Sequence, residues 1–357
     1  MKTAKRMKTI IIVVSGLLFT GMLSAQQDIQ FSQALSNPYL FNPGASGMTN
    51  VAEFNIGTRA QWLSVEGKPM TYYASGQSQI RSRKSEKAVL DEFNTEHKSM
   101  YNSPQRTIGL KHVVGGKVVS DVIGPFARTG FMGSYAIHMP FTKTVNVGLG
   151  IGLGMNSFSI NDSKVSLIDQ NDGAYLSYVG STNRQSMIDV QSGLVFYNNR
   201  FYFGISGSQL LKNKAQFKGI ETESRFERHF YAVGSYRFDI REKFGIEPVV
   251  ILKNTVASPL SYDVGARFHY YNMGWISLGY RGNAALSAGI GFNILRQFRL
   301  AYAFEMGVSG LRSYGNGSHE IQLGFVFGHK RNMEKEFKEQ EKEHQQQLDD
   351  ELKIGTN

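Results

Sequence analysis

The residues best suited to catalysis lie on two neighbouring predicted strands. One strand carries Asp263, Arg267 and His269, and the strand before it carries Glu247 and Lys253. A carboxylate in contact with an imidazole could transfer protons as a general acid and base. Asp263 and His269 are six positions apart, which is roughly 20 Å along a strand, so they cannot touch. We therefore interpret these charges as partners of one another in a polar interior and predict that the protein is not an enzyme.

Metal and phosphate sites are not supported by residue spacing either. His138 and His229 have no second histidine or carboxylate at a spacing typical of metal ligands. The glycines from Gly148 to Gly154 alternate within a predicted strand, where turn amides cannot form a phosphate-binding loop. We therefore predict no metal and no cofactor, and we interpret these inward glycines as room for an internal segment.

The stretch from Thr144 to Met155 indicates which elements position the charges. Large apolar side chains alternate there with glycine and asparagine, so a strand would have one apolar face and one small, polar face. Its length fits the about 9 to 11 residues with which a tilted strand crosses a bilayer. The stretch from Phe298 to Val308 repeats the pattern and places Arg299 and Glu305 on the polar face. Lipid outside and a polar lumen inside are typical of an outer-membrane β-barrel.

The same alternation predicts an all-β transmembrane antiparallel barrel of about 14 strands (12 to 14) over residues 51–328. An even number is usual for bacterial single-chain barrels. The predicted strands are Ala52–Gln61, Thr71–Ile80, Thr107–Val114, Arg128–Met139, Thr144–Met155, Met187–Phe196, Phe201–Leu210, Arg228–Phe238, Phe244–Lys253, Tyr262–Tyr270, Trp275–Tyr280, Leu286–Ile294, Phe298–Val308 and Ile321–Phe327. The lumen charges predicted from them are Arg59, Glu247, Lys253, Asp263, Arg267, His269, Arg299 and Glu305.

Loop lengths fit a periplasmic N-terminus, with one exception. Short turns then fall on the periplasmic side and long loops outside, which is the usual asymmetry of these barrels. The charged connection from Arg81 to Gln105 is an exception to this asymmetry, because it is long and would lie on the periplasmic side. It is either a periplasmic excursion that serves as a docking surface or a sign that the second and third strands are miscounted.

Composition favours paired strands over a helical membrane protein. The 357 residues include 38 glycines, 24 phenylalanines and 17 tyrosines but 8 prolines. After the first 25 residues, no apolar run approaches the about 18 residues of a spanning helix. Cysteine is absent, which excludes disulfides and a lipidated N-terminal cysteine. The net charge of +10 is not concentrated in a basic and aromatic cluster, so nucleic acid is not a predicted partner.

The two ends of the chain differ from the barrel pattern. Residues 1–25 have a basic start, an apolar core from Ile10 to Leu23 and small residues before Ala25, which predicts a secretory signal peptide cleaved after Ala25. An uncleaved anchor helix is the alternative, but the core is short and interrupted by polar residues and glycine. Residues 329–357 mix lysine, glutamate and glutamine with apolar residues at helical spacing. They are either a periplasmic helix that docks on a partner or a solvated extension.

Residues 26–50 form a third distinct region. Two Asn-Pro steps followed by Gly44 and Gly47 predict turns instead of a long helix or strand. This region is either a plug or latch packed in the periplasmic mouth of the barrel or an ordinary leader to the first strand. The apolar contacts of a plug would be Phe31, Leu35, Tyr39, Leu40 and Phe41.

Two motifs resemble those of the PorP/SprF family of type IX secretion outer-membrane proteins. The first comprises Gln30, Phe31, Ser32, Gln33, Asn37, Pro38, Asn42, Pro43 and Gly47. The second comprises Asp121, Ile123, Gly124 and Pro125. Gly44 stands where the family usually has alanine, a departure that keeps the turn chemistry. The resemblance covers about Gln26 to Gly328.

The resemblance implies a non-enzymatic component of type IX secretion in the cell outer membrane. Its expected partners are outer-membrane lipid, secreted proteins or adhesins at the cell surface, and periplasmic type IX secretion components. The expected role is support of protein export, or surface anchoring of adhesins such as those used in gliding motility. The alternative is a transporter or channel for small or hydrophobic solutes. The mostly glycine, serine and charged inward residues disfavour a path for fatty substrates.

Overall fold

The chain folds into a closed antiparallel β-barrel. The computed structural model describes residues 30–49, 51–80, 110–142, 144–165, 184–211, 227–241, 243–255, 258–270, 273–294, 297–308 and 316–327. Each strand pairs with its neighbours in sequence, and β1 pairs with β15 to close the ring. The short strand β9 continues β8 past Arg237, and both pair with β10. The 15 strand segments therefore fill 14 positions of the barrel.

The strand bounds agree with most of the predicted strands. They are β1 (Ala52–Ala60), β2 (Met70–Ile80), β3 (Lys111–Ile123), β4 (Phe126–Pro140), β5 (Asn146–Ile160), β6 (Arg184–Tyr197), β7 (Phe201–Ser208), β8 (His229–Tyr236), β9 (Phe238–Arg241), β10 (Phe244–Thr255), β11 (Ser258–Tyr270), β12 (Gly274–Arg281), β13 (Ala285–Ile294), β14 (Phe298–Gly307) and β15 (Ser318–Phe327). Three short 3-10 helices precede them at Ala34–Ser36, Pro38–Leu40 and Pro43–Ala45, and a fourth follows β5 at Asp162–Lys164.

Strand β5 illustrates why the sequence forms this barrel. Leu149 and Leu153 are 50% and 63% exposed on the outer surface, while Gly148 and Gly152, each directly before one of them, face inward and are buried. Large apolar side chains on the outside of a barrel are stable only against lipid. The exposed outer face and the barrel closure together account for the strict alternation in the sequence.

We define the two ends of the barrel by the direction of β1. The near rim is the end at which β1 begins, and it also holds the turn 198–200 between β6 and β7. The far rim is the end at which β1 finishes, and it also holds the turns 124–125 and 282–284. Asn198 and Asn199 form a tight hairpin turn, because β6 and β7 pair directly across them.

The prediction for the third strand is wrong at its end. The predicted strand ends at Val114, before the glycine pair Gly115-Gly116, but β3 continues through that pair to Ile123. Glycine weakens an isolated strand, yet both glycines here pair with β2 on one side and β4 on the other. The actual turn is at Gly124, which has a φ of 57°. This part of the wall is therefore longer than predicted.

Other boundaries shift by a few residues for local reasons. Strand β7 stops at Ser208 because Gln209 adopts a φ of 55°. Strands β12 and β15 extend beyond the predicted limits and add Arg281 and Glu320 to the lumen. The predicted signal peptide, the connection from Arg81 to Gln105 and the tail 329–357 lie outside the described residues. Within the described part of the chain, no helix is both long and apolar enough to span a membrane.

Candidate functional site in the barrel lumen

The N-terminal segment, residues 30–49, lies inside the barrel along its length. At the far rim, the Gln30 side-chain oxygen accepts a hydrogen bond from Arg281, the last residue of β12, at 2.7 Å. At the near rim, the carbonyl of Gly47 accepts one from Lys111, the first residue of β3. The sequence predicted either a plug or latch in the periplasmic mouth or an ordinary leader, and the contacts of this segment extend towards both rims.

The two Asn-Pro steps fold the segment into consecutive turns. Pro38 and Pro43 each occupy the first position of a 3-10 helix, where a fixed φ is favourable and no backbone donor is needed. The Asn42 side-chain oxygen caps its turn by accepting from the backbone N–H of Gly44 at 2.8 Å. Gly47 turns the chain towards β1 with a φ of 73°, a conformation that favours glycine. The motif residues thus set the path of the segment.

Asparagine side chains join these turns to the barrel wall. The Asn42 amide nitrogen donates to the carbonyls of Leu194 at 3.2 Å and Ile205 at 3.1 Å, on β6 and β7. The Asn37 amide donates to the Ser75 hydroxyl on β2 at 2.8 Å. Both asparagines are buried, so water cannot replace these bonds without cost.

Glycines on β5, β6 and β7 provide the space that the second Asn-Pro turn occupies. A Cβ on Gly150 would lie 2.5 Å from the Pro43 carbonyl oxygen, and one on Gly148 would lie 2.6 Å from the Gly44 carbonyl oxygen. A Cβ on Gly193 would overlap the Asn42 side chain. The inward glycines of β5 therefore do leave room for an internal segment. Further along β5, Gly152 and Gly154 pack against Met132 instead.

Aromatic rings fill the space between the segment and the opposite wall. Phe31 packs edge-on against Phe41 at 5.3 Å and against Tyr73 at 5.1 Å between ring centroids. Phe41 also contacts Tyr231 at 5.6 Å. Edge-to-face pairs of this kind add about 0.5–1.5 kcal/mol each to the area they bury. The segment is thus held by apolar packing as well as by hydrogen bonds.

A buried group of charges, the far-rim ion network, holds the start of the segment. Arg59 contacts Glu305 at 2.5 Å and Glu320 at 3.5 Å. Arg281 contacts Glu305 at 3.1 Å. The Glu320 carboxylate also accepts from the backbone N–H of Ser32 at 2.6 Å, and Arg59 donates to the Ser32 hydroxyl. Ser32 is therefore bound to both signs of charge.

The network continues along the wall to β10 and β11. Arg281 contacts Asp263 at 3.2 Å, and Lys253 contacts the other oxygen of Asp263 at 2.7 Å. The network contains Arg59, Arg281, Lys253, Glu305, Glu320 and Asp263, so its formal charges balance. Buried ions are tolerated when they are paired and hydrogen-bonded in this way.

The remaining predicted lumen charges lie apart from this network. His269 contacts Glu247 at 2.8 Å, and Arg267 donates to the Ser36 hydroxyl at 2.9 Å while stacking on Trp275. Arg299 makes no ion pair with any of the described residues. Asp263 and His269 have different partners, as the sequence spacing predicted.

Lys117 is a lumen charge that the sequence reasoning missed. Its ammonium donates to the carbonyl of Leu40 at 2.6 Å and to the Gln191 side chain at 2.7 Å, and it lies over the ring of Tyr39. Burial raises the pKa of Tyr39 to about 12, so its hydroxyl stays protonated and pairs with Ser134 at 2.7 Å. Lys117 was missed because the predicted third strand ends at Val114, before the glycine pair that precedes Lys117.

The second motif has a local structural role at the far rim. Asp121 accepts from the Thr71 hydroxyl at 2.5 Å, and the Gly124 N–H donates to the carbonyl of Gly67 at 2.9 Å. The Pro125 carbonyl accepts from the backbone of Asn161 at 2.7 Å. Ile123 faces outward and is exposed. These residues connect three far-rim turns and do not contact the N-terminal segment through any of these bonds.

The N-terminal segment leaves a small cavity beside it in the lumen of the described barrel. A cavity of about 70 Å³ remains between the segment and the wall, lined by Phe31, Lys117, Arg128, Asp189 and Gln191 among others. This is room for about two water molecules, each of which fills about 30 Å³ in the liquid. No group of three histidine, aspartate or glutamate side chains that could hold a metal occurs among the described residues.

Replacing Asn42 with alanine should loosen the N-terminal segment more than the same change at Asn37. Asn42 supplies one turn cap and two bonds to the wall, whereas Asn37 supplies one side-chain bond to Ser75. Loss of a cap alone costs about 0.5–2 kcal/mol, so we expect about 2 kcal/mol or more for Asn42→Ala. Thermal unfolding of both variants in detergent measures the difference, and an equal or larger effect of Asn37→Ala would contradict it.

Comparison with known proteins identifies one family. The family model for "Type IX secretion system membrane protein PorP/SprF" matches residues 23–325. A comparison with curated proteins finds no match.

Solved structures with a similar chain path are outer-membrane proteins. The outer membrane protein Omp33 of Acinetobacter baumannii is 9% identical, with a TM-score of 0.41, and 78% of this chain covers 100% of that one. The toluene transporter TodX of P. putida is 10% identical, with a TM-score of 0.46 and coverage of 82% and 94%. The monoaromatic hydrocarbon channel CymD has the same identity and TM-score, with coverage of 82% and 93%.

Proposed function

We propose that this chain, which belongs to the PorP/SprF family of type IX secretion system membrane proteins, works as a plugged barrel that supports the export or surface anchoring of secreted proteins. The family and the β-barrel fold imply an outer-membrane location. The observation that supports the proposed role of a plugged barrel is that the N-terminal segment occupies the lumen. Residues 30–49 are bound to strands on all sides of the barrel.

The N-terminal segment is the plug in this proposal. A passive channel needs a continuous polar path, and here the path is filled by three turns, an aromatic cluster and a balanced ion network. The bonds to Glu320, Ser75, Leu194 and Arg267 come from β15, β2, β6 and β11. Removing the segment would take one hydrogen-bond partner from each of these groups, and a buried polar group left unsatisfied costs about 1–3 kcal/mol. The plug is therefore part of the folded barrel.

A closed barrel would contribute through its surfaces. The loops at the far rim are proposed to hold secreted proteins or adhesins outside the cell, including adhesins of gliding motility. Residues 81–105 and 329–357 are proposed to meet periplasmic type IX secretion components. The mechanism is binding and anchoring, and no covalent step is involved.

A solute channel is the second candidate that the sequence left open. It would require the plug to move, and the buried ion pairs of Arg59 with Glu305 and Glu320 oppose that movement. The cavity that remains beside the plug is about 70 Å³, below the about 300–1,000 Å³ of small-molecule sites. These observations favour the secretion role.

Deleting the gene in its native host should impair type IX secretion. We expect type IX cargo to accumulate inside the cell if the protein supports export, or to be released into the medium if it anchors adhesins. Mass spectrometry of the periplasm, the cell surface and the medium measures both. Complementation with the wild-type gene should restore the distribution. Unchanged cargo together with slower uptake of a hydrophobic solute would reject the secretion role and support the channel.

A further inference from the structure

A long groove crosses the outer, lipid-facing surface of the barrel from β4 to β11. Its volume is about 840 Å³. Small side chains form its floor at Ser192, Gly207 and Ala232, on three successive strands. Large apolar side chains line its sides, namely Ile137, Leu149, Ile151, Leu194, Ile205, Phe230, Leu252 and Leu260.

Strand register shows that this groove is on the outside of the barrel. Ser192 pairs with Ile151, and Ala232 pairs with Ile205. Ile151 and Ile205 are 56% and 43% exposed on the outer face, and directly paired residues share a face of the sheet. The groove is therefore continuous with the apolar surface that contacts the bilayer.

The shape of the groove determines what can fill it. From β4 to β11 it crosses six inter-strand intervals, which is about 29 Å at about 4.8 Å each. Its floor of small side chains lies between large apolar side chains, and its lining is almost entirely apolar. Because the surrounding outer face meets the bilayer, a hydrocarbon chain, whose carbons pack at about 3.5–4.0 Å, is the occupant that this lining suits.

Polar groups at the β4 end could receive a lipid headgroup. Tyr135 lines the β4 end of the groove, and its hydroxyl is 2.5 Å from a ring nitrogen of His112. His112 is the second residue of β3 and so lies at the near rim, whereas Leu260 at the other end of the groove is close to the far rim. An aromatic hydroxyl with a partly apolar side chain is typical of the level of lipid headgroups.

We propose that this groove binds one acyl chain of a phospholipid from the periplasmic leaflet, with the headgroup beside Tyr135 and His112. The choice of leaflet rests on the proposed orientation, in which the near rim faces the periplasm. Because the residues of the groove floor are small, the acyl chain can lie in a depression of the barrel wall instead of on top of it. The bound lipid would fill a hollow in the part of the wall that also seats the plug, because Gly150 and Gly193 border both the groove and the Asn42–Gly44 turn.

Photocrosslinking tests the proposal on the purified full-length chain. The protein is reconstituted into vesicles that contain a phosphatidylethanolamine with a diazirine in one acyl chain. We expect labelling concentrated on peptides of β6, β7 and β8. Ala232→Leu, which fills the floor, should lower that labelling by about fivefold, equivalent to about 1 kcal/mol.

Gly234→Leu is the matched control on the same strand. Gly234 also faces outward, because it pairs with the exposed Phe203, and a Cβ there meets nothing within 4 Å. It lies outside the groove, so labelling should remain at the wild-type level. Equal labelling of wild type, Ala232→Leu and Gly234→Leu would overturn the proposal, because the groove would then hold only bulk lipid.

Competition with unlabelled lipids identifies which lipid supplies the acyl chain. Unlabelled phosphatidylethanolamine should displace the probe, and Tyr135→Phe together with His112→Ala should weaken that displacement. Displacement by lipid A but not by phosphatidylethanolamine would overturn the assignment to the periplasmic leaflet. These measurements use the purified barrel, so they can fail while the gene deletion still impairs secretion, and the reverse also holds.

Discussion

Substitution of Gly150 by valine is expected to force the second Asn-Pro turn away from the lumen wall. The new Cβ would lie 2.5 Å from the Pro43 carbonyl oxygen and still closer to neighbouring backbone atoms of Pro43 and Gly44. Real Cβ atoms almost never come this close, and the clashing atoms are backbone. Asn42 fixes that backbone to β6 and β7, and the shift needed to relieve the overlap would break these bonds.

The expected effect is large in two measurements. Overpacking of a dense interior costs about 1–3 kcal/mol, and loss of the Asn42 bonds would add to it, so thermal unfolding in detergent should begin at a clearly lower temperature. If the turn leaves the lumen, ion conductance across planar bilayers should rise from near zero to discrete open steps. Protease cleavage within residues 30–49 should become faster for the same reason.

Gly133→Val is the matched control for this change. Gly133 is on β4 and faces outward, and the nearest atom to a Cβ there is the Leu153 carbonyl oxygen at 4.0 Å. Valine is favoured in strands, so this variant should be neutral or slightly stabilised and should not conduct. If Gly150→Val were as stable and as non-conducting as Gly133→Val, the view of the glycines as a seat for the plug would be wrong.

The barrel itself was predictable because lipid imposes a simple rule on every strand. Side chains such as Leu149 and Phe304 must face lipid, and Glu305 must face the lumen, so period-two alternation identifies a strand without any knowledge of its neighbours. Glycine pairs are the exception. Gly115-Gly116 remains extended because β2 and β4 pair with it, and a local reading of the sequence cannot include those partners.

The lumen site was only partly predictable, for a related reason. Arg281 and Glu320 are each one residue beyond a predicted strand, and extending the alternation by one position would have placed both inward. In contrast, Glu320 is 288 positions from Ser32, and Ile205 is 163 positions from Asn42. Turn signals at Asn37-Pro38 and Asn42-Pro43 gave the form of the segment, but its path through the barrel depends on the closed ring.

Replacing Arg59 with methionine should destabilise the barrel strongly. The Arg59 side chain is 2% exposed and contacts Glu305, Glu320 and Ser32. Methionine leaves Glu320 with the Ser32 N–H and the Tyr73 hydroxyl as donors but without its cation. Removal of one partner from a buried ion pair costs about 3–5 kcal/mol, and urea unfolding in detergent is expected to show a loss of this order.

Arg299→Met is the control. Arg299 is half-buried in the lumen and unpaired among the described residues, so its replacement should cost less than about 1 kcal/mol of unfolding free energy.

A second substitution separates lost charge balance from lost packing. In the double variant Arg59→Met with Glu320→Gln, no uncompensated carboxylate remains at that position, while the glutamine can still accept from Ser32. Stability should therefore recover by more than half of the single-variant loss, because the two sites are coupled and their effects do not add. If the double variant were less stable than Arg59→Met, the loss would come from packing alone. The ion network would then not be what holds the start of the plug at the far rim.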